Sequence, residues 1–440
     1  MRLSFSGIKA RAAWDSVRTS LWFLPAIMGS LAPVLAYCAR AIDNRLGARP
    51  DDSVPAIIYV SDPQQARELL TTILSSISTM ASLVFSITMV VLTLAAGQFG
   101  PRLVRNFMGR LQTQLVLGTF VLTIIYTLLL LASIGPADGS MAYLSVTVAI
   151  ALALLCVALL VLYIHHLAKS IMSETLIEAV GRELDKGVAE LPPPGDDGDP
   201  KAALPDDFDR RAAFFGPDTF GYVQTIEFGR IVEAARKADV LVGLYLRAGD
   251  FAIQNGRAFG IYPADRASEA LARLVTRSIA LGPHRTPVQD LEFSIRHLVE
   301  IAVRALSPGI NDPYTAVSAI HRLSAPWPTL MDRSVPHGVF HDTGGRLRVV
   351  CPRPSYTGLL NASFSQIRQA GTDKPLILIH LLKTFKAMAR CTRTQQQRDV
   401  LEAEVQAVLE DARREIHNRA DLRNIEQHAQ LALDDLRCSS

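Results

Sequence analysis

Charged side chains are scarce in this 440-residue chain. Asp, Glu, Lys and Arg make up 20% of it, against roughly 25% in an ordinary soluble domain. Cysteine is scarce too. Cys38, Cys156, Cys351, Cys391 and Cys438 are scattered with no CxxC pair, which argues against a disulfide scaffold and a zinc site. No metal is expected. The net charge of +3 lacks the basic excess of a nucleic-acid binder, so no nucleic-acid partner is expected. The common catalytic signatures are also missing: there is no Walker loop, GxSxG, HExxH, GxGxxG or DxDxDG. The chain therefore reads as a non-enzyme, with no catalytic residue and no cofactor.

What is abundant is apolar sequence. Hydrophobic residues are 49% of the chain, which excludes disorder. Mean hydropathy is +0.21. Four segments in the first 168 residues approach or exceed the ~20 apolar residues that cross a bilayer: 21–39, 70–97, 115–134 and 141–164. The first starts late, and no small-residue cleavage site follows Tyr37-Cys38-Ala39, so it reads as a retained span. Ten basic residues flank one side of these spans: Arg2, Lys9, Arg11, Arg18, Arg102, Arg105, Arg110, Lys169, Arg182 and Lys186. Four flank the other: Arg40, Arg45, Arg49 and Arg67. Basic flanks stay inside. A multi-pass membrane protein is expected, with both termini and a long C-terminal part in the cytoplasm.

The second span is unusual. Asp62-Pro63 reads as an N-cap and first helical residue, and a helix over 63–96 would be about 50 Å long. Its hydroxyls Ser75, Thr79, Ser82, Ser86 and Thr93 recur at steps of four, three, four and seven. At about 100° per residue they fall within about 40° of one line. Two readings are open. Small hydroxyl residues permit close helix packing, or they line an aqueous path in a homo-oligomer. Thr119, Thr123 and Thr127 on the third span form a shorter row that fits packing. Arg102, Arg105 and Arg110 would sit at the inner mouth of such a path or on lipid headgroups. No Asp, Glu, Lys or Arg lies inside the four apolar segments. That absence counts against a pump or coupled transporter. His165 and His166 read as interfacial.

The C-terminal part reads as a cytoplasmic α+β domain. A helical extension runs to about residue 191, where Pro192-Pro193-Pro194 stops it, and an acidic Pro/Gly linker closes the stretch 169–207. Residues 208–263 form a small mixed α/β module, with turn signals at Gly249-Asp250 and Asn255-Gly256. Residues 264–440 are mainly helical, with a β-hairpin near 339–350. Asp312-Pro313 starts one of these helices as N-cap and first residue. Glu292, Arg296, Glu300 and Arg304 repeat every four residues, the spacing of helix-surface ion pairs. Gln289, Asp290, Arg304, Asn311 and Asp312 are candidates for a polar ligand site around the turn after that helix.

Two stretches carry a family resemblance. One is Ala95-Ala96-Gly97-Gln98-Phe99-Gly100-Pro101-Arg102-Leu103, continuing through Arg105-Asn106-Phe107 to Gln114-Leu115-Val116-Leu117-Gly118-Thr119-Phe120. The other is Arg304-Ala305-Leu306-Ser307-Pro308-Gly309-Ile310-Asn311-Asp312-Pro313-Tyr314-Thr315-Ala316. Together they resemble the bacterial predicted-membrane-protein family known as domain of unknown function 2254. The resemblance implies an inner-membrane protein with an N-terminal membrane part and supplies no activity. Residue chemistry alone leaves two functions open. The first is a homo-oligomeric passive ion channel, lined by the second span and gated or assembled by the cytoplasmic domain. The second is a membrane-anchored sensor or scaffold with a cytoplasmic ligand- or partner-binding domain. The lipid bilayer is a partner in both, and ions are a partner in the first.

Overall fold

The computed structural model describes residues 20, 22–46, 63–99, 111–133, 143–170, 173–192, 204–333 and 338–438. The chain divides into two compact units, Met1–Met172 and Ser173–Ser440.

The first unit contains α1 (Phe23–Leu46), α2 (Pro63–Phe99), α3 (Leu111–Ser133) and α4 (Tyr143–Ser170). Each holds a segment long and apolar enough to cross a membrane. The helices outrun the apolar segments. α1 continues past Ala39 to include Arg40 and Asp43, and α2, with 37 residues, is about 55 Å long. Asp62, expected as its cap, lies outside the described residues, while Pro63 is its first residue.

α3 is the central helix and packs against the other three. On α1 a row at steps of four and three faces inward: Pro25, Gly29, Ala32, Ala36, Ala39 and Asp43 are buried. Its small members let α3 approach closely. At Gly29 an added Cβ would press on Val121 and Ile125. Thr119, Thr123 and Thr127 are buried, as their packing role predicts. Each returns its hydroxyl proton to the carbonyl four residues back. The row on α1 ends in a charge with a partner. Asp43 accepts hydrogen bonds from the backbone N–H groups of Leu144 (2.8 Å) and Ser145 (3.0 Å) and from the Ser145 hydroxyl. The first N–H groups of a helix have no intrahelical acceptor, so Asp43 caps α4 from another helix. Tyr126 completes the corner by donating to the Ser145 carbonyl at 2.9 Å.

The second unit opens with α5 (Ser173–Ala189). Residues 171 and 172, through which a single helix is expected to run toward 191, lie outside the described residues, and α5 packs with the helices that follow. Next come α6 (Phe208–Arg211), β1 (Ala213–Phe215), β2 (Gly221–Ile226), α7 (Phe228–Ala238), β3 (Leu241–Leu244), β4 (Phe251–Ala252), β5 (Phe259–Tyr262), α8 (Glu269–Arg277) and β6 (Ile279–Gly282). The hairpin β7 (Val339–His341) and β8 (Leu347–Val350) arrives later. One sheet has the order β1-β5-β3-β8-β7 and the other β4-β2-β6. The expected module 208–263 is thus not closed on itself. β8 pairs in parallel with β3, Val242 opposite Val349, and β6 pairs with β2. Without those strands, β3 and β2 would leave open edges. One core of Val223, Ile231, Val242, Phe259 and Val349 joins both sheets.

The helical part contains α9 (Leu291–Ala305), α10 (Pro313–Ser324), α11 (Trp327–Met331), α12 (Tyr356–Ala370), α13 (Pro375–Ala389), α14 (Gln395–Glu415) and α15 (Arg419–Cys438). The apolar face read from the sequence of α9 is buried at Ile295, Leu298, Ala302 and Ala305. Asp312 caps α10 by accepting from Thr315 N–H at 3.1 Å. α10 in turn holds α5. Arg322 donates to Glu178 at 3.1 Å and to Asp185. It crosses α5 at Gly181, where any Cβ would collide with the guanidinium.

α10 and α13 meet at a histidine pair, with His321 Nε2 and His380 Nδ1 3.3 Å apart. Burial, the His321 ring, Lys383 and His428 together push His380 below the usual imidazole range. His428, on α15, is pushed down by burial, Lys383 and Lys386. Unfolding therefore raises the proton affinity of both. Their contribution to stability is complete above an ordinary histidine pKa of about 6.5 and is lost as pH falls below it. Thermal unfolding of the full chain between pH 7.5 and 5.5 should show that loss, and His380→Gln should shrink it. An unchanged pH profile in the variant would rule out this pair as its source.

Candidate functional site

Two places collect the residues singled out from the sequence. The first is the outer surface of α2. Its inward seam is a heptad row: Leu70, Ile77, Val84 and Val91 are buried, with half-buried Ile73, Met80 and Ile87 between them. This is the apolar pattern of left-handed helix packing. At about 100° per residue, the centre of the hydroxyl row lies about 160–180° round the helix from that seam. Ser75, Thr79, Ser82, Ser86 and Thr93 are accordingly all exposed. They do not pack against α1, α3 or α4. The hydroxyl that does is Thr88, off the row, which is buried against the Tyr163 hydroxyl. Thr79 and Thr93 donate to the carbonyls of Ser75 and Met89, each at 2.9 Å, so their oxygens face outward as acceptors. Leu83, Phe85, Met89 and Val90 flank the row and are exposed as well. Arg102, Arg105 and Arg110 lie outside the described residues.

The second place is the start of α9. Gln289 lies against β2 like a strand partner. It accepts from Ile226 N–H at 2.9 Å and donates to the Ile226 carbonyl at 3.3 Å. Asp290 is buried and takes two hydrogen bonds from Arg285 on Oδ2, at 2.8 and 2.6 Å. Burial pushes the Asp290 carboxyl up, and Arg285 offsets only part of that. Glu292 is 5% exposed, so it is not the surface residue its four-residue spacing implies. Arg296 does reach it, at 3.0 Å, but Arg247 reaches it from the β3–β4 turn. Burial raises Glu292, and the hydrogen bonds and charges of Arg296 and Arg247 outweigh it, leaving the carboxyl below its usual range.

The β3–β4 turn is fixed by Gly249 N–H donating to the Val223 carbonyl and by the Asp250 carbonyl accepting from Val223 N–H, both at 2.8 Å. Gly249 has φ +92°. The structure separates the five expected polar-site residues. Gln289 and Asp290 precede α9. Arg304 is in its last turn, about 20 Å along the axis, and Asn311 and Asp312 belong to the cap of α10. Arg247 and Arg285 carry no sequence mark beyond their charge, because their acceptors lie in a different element or across a loop.

Beside the Gln289–Glu292 stretch opens a cavity of about 350 Å³. Its walls include Leu191, Phe228, Arg247, Leu291, Phe340 and Cys351. Phe228 and Phe340 stack with ring centroids 4.2 Å apart. Burial pushes the Cys351 thiol up to about 11, so it is a neutral wall group. Among the described residues, no group of three or more His, Cys, Asp or Glu is placed to hold a metal.

Comparison with known proteins gives a family and no activity. The family model described as "Predicted membrane protein (DUF2254)" matches residues 18–387. "Uncharacterized protein Mb1321c" of Mycobacterium bovis is 29% identical over 421 residues, covering 94% of this chain and 80% of that protein. "Uncharacterized protein Rv1290c" of Mycobacterium tuberculosis matches to the same extent. No solved structure matches the chain.

Proposed function

Since the chain belongs to the DUF2254 family of predicted membrane proteins, we propose that it is an inner-membrane protein whose copies assemble into a passive ion channel lined by α2. The observation that carries this reading is the exposure of all five hydroxyls on the outer face of the first unit, opposite the seam that packs α2 on its own neighbours. Lipid gains nothing from a row of oxygen acceptors. A second α2 gains close approach, and a ring of them gives ions a polar lining. Both chain ends lie in the cytoplasm in this reading, following the basic flanks, and the C-terminal unit gates or assembles the ring.

The test is assembly together with flux. Single Ser82→Cys and Ser86→Cys chains should cross-link between copies in membranes, whereas Cys at lipid-flanking Val90 should not. Purified protein in liposomes should pass ions, and Ser82→Leu should reduce that flux at least tenfold. Tight liposomes at every applied potential would overturn the channel. A second reading, a membrane-anchored sensor or scaffold, is favoured by the cavity at the start of α9. A monomer or dimer in mild detergent with no central axis would select it.

A further inference from the structure

We propose that the cavity at the start of α9 is a binding site for a small uncharged molecule, mostly aromatic or hydrocarbon, with one hydrogen-bonding group. Its volume, about 350 Å³, is at the small end of ligand pockets. Its body is built from apolar groups: the Phe228–Phe340 stack, Leu191, Leu291 and three prolines, Pro287, Pro352 and Pro354.

The ligand's charge follows from an inventory of the wall. Arg285 is spent on Asp290, and Arg247 and Arg296 are spent on Glu292. Arg247 also lies 4.0 Å from Asp250. Of these groups Arg247, Asp290 and Glu292 line the cavity, and Arg285, Arg296 and Asp250 pair with them from outside the lining. Glu190 and Arg353, both exposed, add one charge of each sign to the lining. Beside Asp290 and Glu292 an anionic ligand would have to draw a guanidinium off a buried carboxylate, and a cationic one would have to displace a guanidinium from it. Either leaves an unpaired charge in a place that water does not reach freely. At exposed Glu190 and Arg353 water screens a charge on the ligand. A neutral ligand disturbs no pair. One polar contact remains open to it. Both bonds from Arg285 land on Asp290 Oδ2, and among the described residues Oδ1 accepts none, so a ligand O–H or N–H has an acceptor there.

The inference concerns the cavity alone. A failed flux experiment leaves it standing, and its own failure leaves the pore reading standing. The test uses the full-length protein in mild detergent with three molecules of one shape at pH 8: neutral 1-naphthol, anionic 1-naphthoate and cationic 1-naphthylmethylamine. 1-Naphthol should raise the unfolding temperature saturably, by several degrees at a hundredfold excess over its Kd, and the two charged analogues should not. Val288 lines the cavity yet is 66% exposed, so it stands at the mouth. Val288→Trp should fold as the parent does and lose the 1-naphthol shift. As an independent readout, 1-naphthol should slow methanethiosulfonate labelling of Cys351 without slowing that of Cys391. A larger shift with either charged analogue, no shift with any of the three at millimolar concentration, or an equal shift in Val288→Trp would overturn the proposal.

Discussion

Replacing Asp43 with alanine should lower the unfolding temperature of the protein in mild detergent more than any other single change in the four-helix unit outside its apolar seams. Three donors lose their acceptor at once: Leu144 N–H, Ser145 N–H and the Ser145 hydroxyl. Asp43 is 8% exposed, so water replaces it poorly, and a buried donor left without a partner costs about 1–3 kcal/mol. Loss of a negative charge at a helix N-terminus adds about 0.3–1 kcal/mol. A combined loss of about 3 kcal/mol is expected. Asp43→Asn keeps one acceptor oxygen and should fall between wild type and Asp43→Ala. Tyr126→Phe removes only the bond to the Ser145 carbonyl and should be milder than either. Equal unfolding temperatures for Asp43→Ala and Tyr126→Phe would mean that the carboxylate does not hold α4.

The second large effect is expected at Gly249→Ala. Two penalties coincide there. The residue sits at φ +92°, where a side chain is strained by about 1–3 kcal/mol. Its new Cβ would also collide with both the Asp290 carboxylate and the Arg285 guanidinium. These two side chains are 4% and 15% exposed, and breaking a buried pair is costly, at about 3–5 kcal/mol when one partner is lost. Part of that is expected here, because the pair is pushed apart rather than deleted, so the total is about 3 kcal/mol or more. Gly229→Ala is the control. Nothing lies within 4 Å of a Cβ there, and the position is helical, so the change should be neutral or stabilise by up to about 1 kcal/mol. Comparable unfolding temperatures for the two variants would show that the β3–β4 turn moves freely away from α9.

The features legible in the sequence were those set by local spacing. Four long apolar runs became four helices. Pro63 and Asp312-Pro313 marked helix starts, the α9 periodicity marked its buried face, and a hairpin appeared near 339–350. The hydroxyls of α2 do share a face. Which neighbour that face meets was not legible, because the heptad seam Leu70, Ile77, Val84 and Val91 competes for the same neighbours and only three-dimensional packing decides between them. The partners of Asp43 lie 101 and 102 residues away, beyond any helical or strand period. Glu292 shows the same limit. Its spacing to Arg296 predicts one pair, yet its burial depends on Arg247, 45 residues earlier. The strands that complete the two sheets, β6 and β8, likewise return from later in the chain.

The helix α5 has one further consequence. Its final turn and the residues just after it, Gly187, Glu190 and Leu191, are cavity wall. Arg322 grips its middle, and its first residue follows the last residue of α4 by three positions. Filling or emptying the space at its far end would therefore load a rod held at its middle, and the ion pairs of Arg322 with Glu178 and Asp185 would take that load.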